Sequence, residues 1–82
     1  MATVLITFDR GAVPIVIGEQ PDGADRPIAN PQATGYTTNT PFIAAPGTYC
    51  FGLNSTESYR PLWQTCQVVD GVQSTLHFMV QP

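Results

Sequence analysis

The stretch Gln73-Ser74-Thr75-Leu76-His77-Phe78-Met79-Val80 decides the fold class. Leu76, Phe78 and Val80 recur at every second position, with Thr75, His77 and Met79 between them. Successive side chains of an extended chain point to opposite faces, so this spacing predicts a strand with its first set inward and its second set outward. Working outward, residues 3–8 repeat the pattern with Val4, Ile6 and Phe8, and residues 48–53 repeat it with Tyr49, Phe51 and Leu53. Residues 62–69 present Cys66 and Val68 as the inward pair. Residues 12–17, Ala-Val-Pro-Ile-Val-Ile, form a β-branched run closed by Gly18. Pro14 has no N–H to give to a ladder, so that strand lies at an edge or is bulged there.

Helical spacing is absent. Eight prolines and seven glycines are spread along the chain, and no stretch of about 11 residues keeps apolar positions three and four apart. The reading is therefore all-β: one domain over residues 1–82, a small antiparallel β-sandwich of about 6–7 strands. Asp70-Gly71 is a tight-turn signal that predicts a hairpin between residues 62–69 and 73–80. Strands 48–53 and 62–69 are expected to pair around the polar loop Asn54–Pro61. Residues 19–41 hold four prolines and no sustained period. They read as one long Pro-rich loop with a short edge strand near Tyr36. A connection of that length in a small domain is commonly functional or mobile.

Composition narrows the function classes. The 82 residues carry a formal charge of −3, with 11% charged and 43% hydrophobic residues. That balance opposes disorder. The cations are Arg10, Arg26 and Arg60, with no lysine. Three scattered arginines do not make the clustered positive surface that a phosphate backbone or an anionic bilayer requires, so neither nucleic acid nor a charged membrane surface is an expected partner. No segment approaches the roughly 20 apolar residues of a membrane-spanning helix, which predicts no membrane insertion. The apolar run after Met1 stops at Asp9 and reads as a strand rather than a signal peptide. This predicts a cytoplasmic protein, or an extracellular or surface one if the chain is excised from a longer precursor. A chain this short buries only about 60% of its unfolded surface, leaving little room for a deep, water-excluding pocket.

Several short motifs follow one another in a recognisable order. Gly11-Ala12 precedes a β run closing at Gly18. Thr40-Pro41 with Ile43 leads to Pro46-Gly47-Thr48-Tyr49, which opens a strand. Tyr59-Arg60-Pro61 leads into Cys66 and Val68, then Gly71 and a final apolar strand. This order resembles the PEGA family of small β-sandwich domains, with Asp9-Arg10-Gly11-Ala12 standing where the name-giving Pro-Glu-Gly-Ala would be. The resemblance implies a bacterial, non-catalytic binding or structural module, and it sets Gly47 and Gly71 at tight turns.

The residues able to carry chemistry are few. Symmetric pairing about the loop, with facing positions summing near 116, would set Cys50 beside Cys66 and permit a disulfide. Face alternation instead puts Cys50 outward and Cys66 inward, where they do not meet. Two cysteines and the single His77 fall short of a four-ligand metal site, and no cofactor is expected. His77 on an outward face reads as a solvated residue. The six carboxylates lie at turns or in the 19–41 segment, where turn chemistry accounts for them. Tyr36, Tyr59 and Trp63, with Arg60 beside them, are the candidate binding residues. Aromatics near loops join large apolar area to a polar handle.

These features predict a non-catalytic protein-interaction or assembly module able to self-associate as a homo-oligomer. The alternative is a carbohydrate-binding module that stacks sugars on the three aromatics. An enzyme is not expected, because no acid–base pair or activated nucleophile assembles from these residues.

Overall fold

The structure, a computed structural model, describes residues 1–81. The described residues form eight strands and no helix: β1 (Ala2–Phe8), β2 (Pro14–Glu19), β3 (Ala29–Thr37), β4 (Phe42–Ala44), β5 (Gly47–Leu53), β6 (Tyr59–Arg60), β7 (Gln64–Val68) and β8 (Ser74–Val80). They form two four-stranded sheets, one in the order β4-β1-β8-β6 and the other in the order β3-β2-β5-β7. The all-β sandwich is thus as the alternation predicts, with one or two more strands.

The inner faces are those the period-two reading names. Val4, Ile6 and Phe8 of β1 are buried, as are Phe51 and Leu53 of β5, Cys66 and Val68 of β7, and Phe78 of β8. Ile15 and Phe42 complete the central cluster, and Leu76 and Val80 pack at its margin. Thr75, His77 and Met79 face outward. Burial of these side chains is the main force joining the sheets, at about 1.5–3 kcal/mol for each fully buried large one.

The connections differ from the sequence reading in four places. First, β7 and β8 do not form a hairpin. Asp70-Gly71 makes a turn, with Gly71 at φ 78° and Val72 N–H donating to Val69 O at 3.1 Å, but the turn carries the chain from one sheet to the other. A tight turn requires reversal of the chain, not pairing of its arms. Second, β8 pairs with β1 in parallel, Leu5 beside Thr75 and Thr7 beside His77, so the sandwich is not wholly antiparallel. Third, the segment 19–41 is not one loop. The edge strand expected near Tyr36 is the longer, nine-residue β3 of residues 29–37, antiparallel to β2, and residues 20–28 and 38–41 lie outside strands. Fourth, β2 is interior, between β3 and β5. Of the two readings of Pro14, the bulge is realised: the β2–β3 register shifts between Pro14 and Val16.

β3 escaped the periodicity argument because nearly all its side chains are exposed. A strand with no buried face has no hydrophobic period to read. The irregular residues 20–28 end at Ile28, which lies across the outer face of β2 and β5. A Cβ at Gly18 would come 2.4 Å from Ala29 O and 3.0 Å from an Ile28 carbon. Glycine at this position is therefore what lets β3 and Ile28 close over β2.

Candidate interaction surface

The sheet edges decide what this domain can offer another molecule, since unpaired N–H and C=O groups along an edge strand invite pairing. β4 covers only Ala2–Val4 of β1. The rest of that edge is closed by Asn39, held at φ 65°, which copies a strand residue. Its N–H donates to Ile6 O at 2.7 Å, its side-chain amide donates to Phe8 O at 3.2 Å, and its Oδ1 accepts from Phe8 N–H at 3.0 Å. On the opposite side, β6 pairs Tyr59 with Val80 and Arg60 with Met79. Gln64 Nε2 donates to His77 O at 2.6 Å, further closing the outer edge of β8.

β3 is an edge by position but a poor template. Pro31 lacks an N–H, Asn30 and Gly35 have φ of 49° and 82°, and the β2–β3 register shifts twice. β7 carries none of these devices. Gln64-Thr65-Cys66-Gln67-Val68 is continuous, free of proline and glycine, and pairs with β5 in unbroken register. No charged residue lies between Arg60 and Asp70. Among the described residues no backbone group outside β5 pairs with β7. Thr65 and Gln67 are exposed, and the turn beyond the strand shows Val69 and Val72 to solvent at 48% and 53%.

The residues singled out from sequence are dispersed. Tyr36 stacks on Phe42 at 4.6 Å and 10°, joining β3 to β4 across the two sheets. Tyr59 turns inward, edge-on to Phe8 at 6.1 Å and to Phe78 at 5.8 Å. Its hydroxyl donates to Leu53 O at 2.8 Å and accepts from Leu53 N–H at 3.2 Å, so it ties β6 to β5. That bonding holds the half-buried Tyr59 against the core, at the wall of a surface groove. Trp63, immediately before β7, is half-buried, and its Nε1 has no hydrogen-bond partner among the described residues. Arg60 is exposed and pairs with Asp25 at 3.6 Å. The groove beside Tyr59, of about 440 Å³, is walled by Val16, Pro27, Ile28, Pro31 and Leu53, with Asn54 adding a polar group.

The cysteines are free. The β5–β7 register sets Tyr49 opposite Cys66 and Cys50 opposite Thr65, one position away from the pairing a disulfide would need. Cys66 belongs to the core cluster, whereas Cys50 lies on the other face, opposite Gly18, and is buried there. Desolvation raises the Cys50 thiol above its ordinary value. Both thiols of the native protein are accordingly expected to react slowly with a disulfide reagent near neutral pH, and stoichiometrically once urea is added. Rapid reaction of the native protein, followed by absorbance, would contradict this burial.

His77 has neighbours that the antiparallel expectation concealed. Parallel pairing sets it beside Thr7, and Thr7 Oγ1 and His77 Nδ1 share a hydrogen bond of 2.6 Å. His77 Nε2 lies 3.2 Å from Asp9 Oδ1, while Asp9 Oδ2 accepts from Val80 N–H at 3.2 Å. The residue types are those of a nucleophile relay. However, the His77 and Asp9 side chains are 49% and 40% exposed, on an open sheet face. The observed bonds tie the end of β1 to β8. Among the described residues, no group of three or more His, Cys, Asp or Glu could hold a metal ion. Among the same residues, no helix is long and apolar enough to cross a membrane. No family model matches the chain, and comparisons with curated proteins and with solved structures gave no match.

Proposed function

We propose that this domain is a non-catalytic interaction module that accepts an extended segment as an added strand along β7. The observation that carries the reading is the contrast between edges. Three are shortened, bulged or capped, while β7 is continuous, uncharged and paired along one side only, with β5. Strand addition draws affinity from main-chain hydrogen bonds and selectivity from alternate side chains. Here the selective positions are Thr65 and Gln67 outward, with Val69 and Val72 beyond. A role without catalysis is also what the PEGA resemblance implies. Further support is that the one imidazole stands in open solvent contact, where an activated nucleophile would gain no help from a dry site.

The test is selection of a displayed random-peptide library against the wild-type domain, with Thr65→Lys as counter-target. Thr65 is exposed, so the lysine leaves the core intact while charging the edge, a known means of blocking strand addition. Peptides rich in β-formers that bind wild type at least about tenfold more tightly than T65K are expected. Enrichment of peptides that bind both forms equally would defeat the proposal.

A further inference from the structure

We infer that the strand that β7 receives is β7 of a second copy of this chain, antiparallel about a two-fold axis close to Thr65. This rests on the reading of β7 as a strand acceptor and names its partner. The first argument is charge. Arg60 and Asp70 bracket an uncharged run and stand five residues to either side of Thr65. Antiparallel pairing centred on Thr65 brings the Arg60 end of each copy to the Asp70 end of the other, while parallel pairing sets like ends together. The existing partners, Asp25 for Arg60 and the Met1 amino group for Asp70, are exposed and hold their charges weakly.

The second argument is composition in this register. Thr65 meets its own copy, Gln64 meets Cys66, Trp63 meets Gln67 and Leu62 meets Val68. No like charges oppose one another, and the Leu62–Trp63 flank of each copy meets the Gln67–Val68 end of the other. The third is closure. A two-fold pairing uses the same patch on both molecules, so it consumes the open edge of each and stops. The product is a continuous eight-stranded sheet whose outer strands are the bulged β3 of each copy. A single strand ladder buries less area than a permanent dimer interface, so the expected association is weak and concentration-dependent.

Sedimentation velocity of the wild-type domain from low to high micromolar concentration tests this, with T65K alongside. Monomer–dimer exchange in wild type, its loss in T65K, and a matching concentration-dependent shift in Trp63 emission are expected. Register is read with single cysteines. Thr65→Cys should form an intermolecular disulfide with itself under mild oxidation, because directly opposed strand residues have Cα atoms about 4.5–5.5 Å apart. Gln67→Cys should not, and mass spectrometry of the bridged peptide confirms position 65. A wild-type domain that stays monomeric throughout would overturn the self-pairing. The peptide selection would then decide independently whether β7 takes a foreign strand. A dimer undiminished in T65K, or one that cross-links through position 67 instead, would also overturn it.

Discussion

Phe78→Ala is expected to lower the unfolding free energy by about 3–5 kcal/mol, the cost of removing a large aromatic from a packed interior. Phe78 is fully buried at the centre of β8, the only strand that contacts both β1 and β6 within its sheet. Its ring meets the edge of Tyr59 and stands beside Phe8 in the parallel ladder. Deleting it therefore opens a void shared by three strands, and a thin sandwich has few spare side chains to fill it. A domain of this length has a total stability of about 4–12 kcal/mol, so the loss is at least about a quarter of the whole. Urea titration followed by tryptophan emission measures the loss. A loss below about 1 kcal/mol would mean that the core does not centre on this ring.

Thr38→Val should cost about 2–4 kcal/mol although its volume barely changes, because two backbone groups lose their partner. Thr38 is the one fully buried polar residue among those described. Its hydroxyl donates to Gly11 O at 2.8 Å and accepts from Val13 N–H at 2.9 Å, while its own N–H donates to Val13 O at 2.9 Å. It thus binds the β1–β2 turn, where Gly11 has φ 89°, to the β3–β4 crossing. Valine keeps the shape and strands a carbonyl and an amide away from water. Thr38→Ser keeps the hydroxyl and loses one methyl, at about 0.8 kcal/mol. Thermal unfolding should rank the serine variant well above the valine variant. The reverse ranking would make packing, rather than hydrogen bonding, the role of this residue.

How far sequence alone reached follows from these same residues. Period-two alternation reads a face, and it assigned Val4, Ile6, Phe8, Phe51, Leu53, Val68 and Phe78 to the interior, where they are buried. Alternation carries no information on strand direction, so the parallel β1–β8 ladder was invisible, and with it the contact of His77 with Thr7 and Asp9. β3 is obscured for the opposite reason: its proline, Pro31, marks an exposed edge, which suppresses the pattern by which strands are recognised. In sequence Tyr59 reads as a binding aromatic because it follows a polar loop. Only the fold shows that this loop brings its ring against the margin of the core. The β7 edge was half legible. Its lack of charge stands in the sequence, but its place at the rim of a sheet depends on which strands fail to pair with it.

The adjacency of β1 and β8 has a consequence for synthesis. The ladder from Val4–Ser74 to Phe8–Phe78 joins the two most distant strands of the described chain. On a ribosome, the hydrophobic side of β1 must wait unsheltered until the codons for Ser74–Val80 have been read. Pairing so remote in sequence is entropically slow to close, so the domain should gain protease resistance only after β8 has emerged. Nascent chains halted before Ser74 emerges should be digested readily and should be attractive clients for holdase chaperones.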